Sequence, residues 1–256
     1  MEISKVTFSY NQKKTHLKEV STTIQNGKIT TIIGPNGSGK STLLNVMSNN
    51  LVPQSGEVII DGKMIQMYSA KEFAKKLAVV HQHNEAPSDM TVEKLISYGR
   101  IPHKRIFKGK SAEDEAAIEW AITCTNLLDK RHATLDELSG GERQRVWIAM
   151  SLAQKTPILF LDEPTTYLDM YHQFEILELV KGLNQQHNVT IVMVLHDLNQ
   201  AIRYSDYLLV MKQGELIMDG RPEDIIHDKS VKEIYGVNVL VKKEEASGLY
   251  VVPVGI

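Results

Sequence analysis

Residues 34–41 read Gly34-Pro35-Asn36-Gly37-Ser38-Gly39-Lys40-Ser41. They follow the β-branched run at 29–33 and precede the apolar positions of a predicted helix. The pattern G-x-x-x-x-G-K-[ST] between a strand and a helix is typical of a phosphate-binding loop. Its glycines let backbone N–H groups converge on an anion at a helix N-terminus. Lys40 is predicted to reach the outer phosphates, and the Ser41 hydroxyl is predicted to bind Mg²⁺.

A second stretch supplies carboxylates: residues 158–163 read Ile158-Leu159-Phe160-Leu161-Asp162-Glu163. Four apolar residues that end in two acids are typical of a buried strand presenting carboxylates at its C-terminal edge. On its own, an acidic pair after a strand is usually only the end of that strand. The phosphate loop in the same chain instead favours a role for these two acids in metal binding and catalysis. Asp162 is predicted to hold Mg²⁺, directly or through water, and Glu163 to orient and deprotonate an attacking water.

Composition narrows the class of protein. The chain has 256 residues, which is enough for roughly one to two domains. Lys and Arg number 29 and Asp and Glu 31, so the net charge is -2 and disfavours nucleic acid as a partner. The single cysteine, Cys124, excludes an internal disulfide and fits a reducing compartment. We expect no signal peptide, and no apolar run approaches the ~20 residues of a membrane span.

Strand-like and helix-like stretches alternate along the chain. Strands are predicted at 6–10, 29–33, 58–61, 77–80, 158–161 and 191–195, and a hairpin at 207–218. Helical patterns fill most of 85–155, where Ser111 and Asp114 form a capping box, and return at about 169–186. This alternation predicts an α/β fold with parallel strands and one inserted helical region.

Residues 138–145 read Leu138-Ser139-Gly140-Gly141-Glu142-Arg143-Gln144-Arg145 and begin a predicted helix. This stretch resembles the signature motif of ATP-binding cassette (ABC) ATPases. The fifth position, usually Gln in that family, is Glu142 here. The hydroxyl of Ser139 and the backbone N–H groups of Gly140 and Gly141 would form a second anion site, useful only when a phosphate arrives from a partner.

Further motifs of that family appear in order. Gln82 resembles the Q-loop residue, Tyr167-Leu168-Asp169 the D-loop, and His196 the switch histidine. Tyr10, 24 residues before Gly34, is placed where the family has an aromatic that stacks on adenine. The resemblance covers essentially the whole chain.

The resemblance implies an α/β P-loop NTPase of ABC type. Its mixed-sheet core would carry an N-terminal antiparallel β subdomain and an inserted α-helical subdomain. One ABC ATPase domain would span 1–256, with the nucleotide-binding core at 1–84 and 155–256. The helical subdomain at 85–154 would carry the signature.

The resemblance also implies the site residues. Catalysis is expected from Glu163, His196 and Gln82, and Mg²⁺ binding from Ser41, Gln82 and Asp162. The ATP-binding set is Tyr10, Gly34, Pro35, Asn36, Gly37, Ser38, Gly39, Lys40, Ser41 and Thr42. Two copies would sandwich ATP head to tail, with Ser139, Gly140, Gly141 and Glu142 acting in trans and Asp169 at the interface. ATP would close this dimer, and hydrolysis would reopen it.

Three stretches of sequence resemble a narrower group within the ABC ATPases. Residues 98–103, 162–169 and 196–201 resemble the ATPases of ferric-siderophore importers, which are relatives of those for haem and cobalamin. A lone cassette of this type implies separate membrane permeases, an indirect link to an extracytoplasmic siderophore-binding protein, and a place on the cytoplasmic face of the cell membrane. The alternatives are a haem or cobalamin importer ATPase, an exporter cassette, or a nontransport ABC ATPase. A single phosphate loop and the absence of sustained heptads disfavour the last.

Overall fold

The structure is a computed structural model that describes residues 1–11, 14–104 and 111–256. Its strands are β1 (Glu2–Phe8), β2 (Leu17–Thr23), β3 (Ile29–Ile33), β4 (Ser55–Ile60), β5 (Lys63–Met64), β6 (Leu77–Val80), β7 (Ile158–Asp162), β8 (Thr190–Val194), β9 (Tyr207–Lys212), β10 (Glu215–Gly220), β11 (Asn238–Glu244) and β12 (Gly248–Gly255). Its helices are α1 (Lys40–Met47), α2 (Ala70–Phe73), α3 (Val92–Ser97), α4 (Ala112–Cys124), α5 (Gly140–Ala153), α6 (Met170–His187), α7 (Leu198–Tyr204), α8 (Pro222–Ile225) and α9 (Asp228–Tyr235).

The chain divides into two compact units, residues 1–67 with 192–256 and residues 68–191. The first unit contains an antiparallel sheet in the order β2-β1-β4-β5. It also contains a mixed sheet in which β3 pairs parallel with β9 while β9 pairs antiparallel with β10. The predicted N-terminal antiparallel sheet, the mixed sheet and the hairpin at 207–218 are thus confirmed.

The second unit pairs β6 parallel with β7 and packs α3, α4 and α5 against one another. The capping box of α4 is confirmed: Asp114 N donates to Ser111 Oγ and Ser111 N to Asp114 Oδ2, both at 3.2 Å. The predicted helical subdomain at 85–154 lies within this unit, and its boundaries remain a prediction. Among the residues described, no helix combines the length and apolar character needed to cross a bilayer.

Strands β3, β7 and β8 are buried along their whole length, as expected for strands covered on both faces. Three predicted strands, at 6–10, 58–61 and 191–195, end earlier than expected, the last of them at Val194. β1 stops at Phe8, whose carbonyl accepts from His16 N at 2.7 Å as the chain turns, so Tyr10 lies beyond the strand. β4 stops at Ile60 because Asp61 has φ 52° and opens the turn with Gly62.

Candidate functional site

The phosphate loop connects the buried strand β3 to α1 in the first unit. Gly34 has φ 145°, and a Cβ there would lie 2.0 Å from the carbonyl oxygen of Met211. Only glycine fits so close an approach to β9. Gly39, with φ 107°, directly precedes α1 and turns the backbone into the helix. The sequence pattern therefore produces the strand, tight loop and helix that phosphate binding requires.

The polar groups of this loop suit an anion. Lys40 is only 5% exposed, and its ammonium donates to the carbonyl oxygens of Gly34 at 2.9 Å and Pro35 at 3.2 Å. The loop's own carbonyls thus hold this buried cation. Ser38 Oγ is buried and lacks a hydrogen-bond partner within the described residues. A buried hydroxyl left unpaired is costly, and a phosphate oxygen would satisfy it.

Tyr10 lies beside the start of α1. Its hydroxyl is 3.4 Å from Thr42 Oγ1, and its ring makes edge contacts with Phe8 and His16 at centroid distances of 4.9 and 4.8 Å. The side chain is nevertheless 58% exposed. An aromatic ring fixed at its edges and open to solvent can stack on a nucleobase.

His196 is exposed and immediately follows the buried strand β8 and Leu195. Asp197 then caps α7 by accepting from Gln200 N at 2.8 Å. Asn199 pairs with both backbone groups of Val251 in β12, at 3.1 and 2.7 Å. The C-terminal hairpin of β11 and β12, which the sequence analysis missed, is thus attached to the helix that follows His196.

In the second unit, the acidic strand ends as predicted. Asp162 is 8% exposed at the end of β7, and Glu163 follows with φ 52°, a left-handed conformation that non-glycine residues adopt rarely. Gln82 Nε2 donates to Glu163 Oε2 at 2.6 Å, and Thr166 Oγ1 donates to the same oxygen at 3.1 Å. The structure thus brings Gln82 and Glu163 into direct contact. Thr166 was missed, because an isolated threonine carries no pattern of its own.

The signature stretch forms the N-terminus of α5. Ser139 caps the helix by accepting from Glu142 N at 3.2 Å, and Glu142 Oε2 accepts from Ser139 N at 2.8 Å. The Glu142 carboxylate also lies 3.5 Å from Lys130 Nζ. The hydrogen bonds from Ser139, backbone first, hold the pKa of Glu142 below its ordinary value. The carboxylate at this position, where the family usually has Gln, therefore contacts the first turn of its own helix.

Asp169 caps α6, since its Oδ1 accepts from His172 N at 3.0 Å. This backbone hydrogen bond is the main cause that lowers the pKa of Asp169. A Cβ on Gly141 would lie 2.3 Å from the ring of His172. Within the second unit, the signature turn and the residues after Asp169 are thus in contact, and His172 is a neighbour that the sequence analysis missed.

The expected site residues therefore form two groups. The first unit carries Tyr10, residues 34–42 and His196, and the second carries Gln82, residues 139–142, Asp162, Glu163 and Asp169.

Comparison with known proteins agrees with these motifs. The ABC transporter family model matches residues 17–166. The chain is 45% identical over 239 residues to the petrobactin import ATP-binding protein FpuC of Bacillus anthracis, covering 93% of this chain and 88% of that protein. It is 42% identical over 244 residues to the ferric enterobactin transport ATP-binding protein FepC of Escherichia coli (strain K12), covering 95% and 90%.

A similar fold occurs in the dimeric structure of MJ0796, a bacterial ABC transporter cassette. The TM-score is 0.75 at 30% identity, over 86% of this chain and 98% of that one. The family model spans the phosphate loop, the signature and the acidic strand. The chain therefore belongs to the ABC transporter family as one of its ATP-binding cassettes, which are ATPases.

Proposed function

We propose that this cassette is the ATP-hydrolysing subunit of a membrane importer for iron(III)-siderophore complexes. The supporting observation is its 45% and 42% identity, over more than nine-tenths of the chain, to import ATP-binding proteins for petrobactin and ferric enterobactin. The strings at 98–103, 162–169 and 196–201 support the same class. Haem and cobalamin importers are the nearest alternatives.

The chemistry of the side chains supports their proposed roles in ATP hydrolysis. The loop at 34–42 would bind the phosphates, with Ser38 Oγ and the Lys40 ammonium as donors, and Tyr10 would stack on adenine. Glu163 would orient and deprotonate the attacking water. His196, exposed at the end of β8, would hold the γ-phosphate.

Ser41, Gln82 and Asp162 offer the oxygen ligands that Mg²⁺ prefers. A hydroxyl, an amide and a buried carboxylate fit this ion, and we propose that they hold it. Mg²⁺ would neutralise charge that develops on the phosphate oxygens. The Gln82 side chain donates through Nε2 to Glu163, which leaves the ligating role to its Oε1.

The signature supports action across a dimer. Ser139 is exposed at the start of α5, and the first N–H groups of the helix, those of Gly140 and Gly141, have no intrahelical partners. We propose that this turn binds the γ-phosphate of ATP held by a second copy, with Asp169 at the same interface. The capping contacts of Glu142 are compatible with that arrangement, because they direct its carboxylate toward Ser139 N and Lys130.

The remaining partners follow from the importer class. Integral membrane permease subunits would dock beside Gln82 and the helical subdomain at 85–154, and the cassette would sit peripherally on the cytoplasmic face of the membrane. An extracytoplasmic siderophore-binding protein would act on the complex indirectly. ATP-driven closing of the dimer would thereby become movement of the permease.

The test is uptake of labelled ferric iron by cells whose own copy carries Glu163→Gln. The iron is offered with hydroxamate siderophores, with catecholate siderophores and, separately, as haem. Loss of uptake for one siderophore class is expected and would identify the substrate. Glu223→Gln makes the same chemical change outside the helical subdomain at 85–154, at a side chain that is 56% exposed, and should leave uptake unchanged. Unchanged uptake of every ligand by Glu163→Gln cells, with loss of another solute, would contradict the proposal.

A further inference from the structure

His172 contacts both of the motifs in the second unit that are proposed to act on a second copy. Its ring Nδ1 lies 2.8 Å from Asp169 Oδ1, the same oxygen that accepts from the His172 backbone. Asp169 is ionised near neutral pH, since its pKa is lowered, and a carboxylate can only accept. The proton therefore resides on Nδ1, and the ring donates to the D-loop carboxylate.

The other side of the same ring faces the signature. A Cβ on Gly141 would lie 2.3 Å from Cδ2 and 2.8 Å from Cγ of His172, so only a hydrogen atom fits there. Gly141 is buried, while the His172 side chain is 29% exposed. The second glycine of the signature thus allows the first turn of α5 to lie directly on the first turn of α6.

A second contact holds these two helices together independently of His172. About one turn further along each helix, Arg145 Nη1 donates to Glu175 Oε2 at 2.7 Å. This ion pair is partly buried, with side-chain exposures of 14% and 32%. Replacement of His172 should therefore leave α5 and α6 packed, while it releases the two turns at their N-termini.

We propose that His172 is a positioning residue that fixes the signature turn at 139–142 relative to Asp169, through its Nδ1 hydrogen bond and its contact with Gly141. The inference rests on the proposed function, in which both motifs engage the ATP of a second copy. It assigns to His172 no contact with nucleotide. Its effect is to present Ser139, Gly140 and the Asp169 carboxylate to that copy as one rigid unit.

Two replacements separate this role from general packing. His172→Asn keeps Cβ and Cγ and places its amide nitrogen near the position of Nδ1, so it can still donate to Asp169. His172→Gln places its amide nitrogen near the position of Nε2 and loses that donor. Both are introduced into the full chain carrying Glu163→Gln, and ATP-dependent dimerisation is measured by analytical ultracentrifugation.

We expect His172→Gln to raise the dimer dissociation constant about fivefold, the upper scale of a solvent-exposed interaction with a charged group. His172→Asn should stay within about twofold, and ATP binding to the monomer should be unchanged in both. Equal dimerisation by all three chains, or equal weakening by both replacements, would overturn the inference. If the Glu163→Gln parent binds ATP and never dimerises, the proposed trans role of the signature fails instead.

Hydrogen exchange tests, in the absence of ATP, whether His172 orders the signature turn. The amides of Glu142 and Arg143 are bonded to Ser139, at 3.2 and 2.9 Å, and report on the order of the signature turn. In the nucleotide-free chain, His172→Gln should accelerate their hydrogen exchange several-fold, while His172→Asn should not. Unchanged exchange in His172→Gln would show that the ring does not fix this turn.

Discussion

Arg100 Nε donates a hydrogen bond to Asp114 Oδ1 at 2.8 Å, and both side chains are more than nine-tenths buried. Arg100 Nη1 also donates to the carbonyl oxygen of Ala153 at 2.8 Å. One buried cation thus joins the chain after α3 to the beginning of α4 and the end of α5. The signature begins α5, one of the two helices that this cation joins.

Asp114→Ala should lower the free energy of unfolding by about 3–5 kcal/mol, because it leaves the buried Arg100 charge without its partner. Urea denaturation measures the change. Glu113→Ala is the control, since that carboxylate lies 3.8 Å from Arg100 Nη2 but is 85% exposed and should contribute at most about 1 kcal/mol. Similar losses of unfolding free energy in the two variants would show that the buried pair stabilises the protein no more than the exposed one.

The Arg100–Asp114 pair predicts that the free energy of unfolding depends on pH. Burial raises the pKa of Asp114, but hydrogen bonds from Arg100 and Ser111 outweigh it, so the net pKa is lower than the ordinary 3.8. The stabilisation is therefore complete above pH 3.8 and is lost as pH falls through the lower, native-state pKa. Asp114→Asn has no carboxylate to titrate, so its stability should fall less steeply below about pH 4. Parallel pH profiles of unfolding would contradict this assignment.

Ser139→Ala removes the acceptor for Glu142 N and should lower the free energy of unfolding by about 1 kcal/mol. It should also cause loss of ATP-driven dimerisation.

The negative charge at position 142 should be compatible with normal ATP turnover. Glu142→Gln keeps an oxygen that can accept from Ser139 N and loses only the partly exposed ion pair with Lys130. Its ATPase rate should therefore remain within about twofold of that of the parent chain, since surface ion pairs contribute at most about 1 kcal/mol. A large loss of turnover in Glu142→Gln would assign the carboxylate a direct role.

Two glycines of the phosphate loop provide a matched pair. Gly34→Ala would drive a Cβ into the carbonyl of Met211, and should displace the loop and abolish ATP binding. At Gly37, with φ 74°, an added Cβ would meet nothing within 4 Å, so Gly37→Ala should add only about 1–2 kcal/mol of backbone strain. Thermal unfolding and nucleotide titration of both variants test the contrast. A milder effect at Gly34 than at Gly37 would refute it.

Glu163→Gln should reduce ATP turnover on the order of 10² or more while ATP still binds, because it removes the proposed general base and little volume. Steady-state phosphate release gives turnover, and equilibrium titration with a fluorescent ATP analogue gives affinity. Near-normal turnover would remove Glu163 from that role.

The motifs that were predictable are those in which adjacent residues dictate the backbone. Gly34 to Ser41 require a tight loop before a helix, and Ser111 with Asp114 form a local hydrogen-bonded cap. Contacts between distant residues were not predictable in this way. Gln82 and Glu163 are 81 positions apart, and no spacing rule indicates that one side chain donates to the other.

The C-terminal hairpin illustrates a different limit. β11 and β12 are mostly exposed, so neither strand shows the strong apolar alternation that a buried face produces. They are attached through Asn199, whose side chain pairs with Val251 much as a neighbouring strand would, and through Asp228, whose Oδ1 accepts from Val241 N at 2.8 Å. His172 was missed for a related reason, because its importance comes from the glycine it touches on another helix.

The hydrogen bonds on Glu163 determine which of its two carboxylate oxygens an attacking water molecule can reach. A water molecule that approaches Oε2 must compete with Gln82 and Thr166, which already donate to that atom. The proposed general base would therefore act through its other oxygen, Oε1, while Gln82 and Thr166 hold the carboxylate in a fixed orientation.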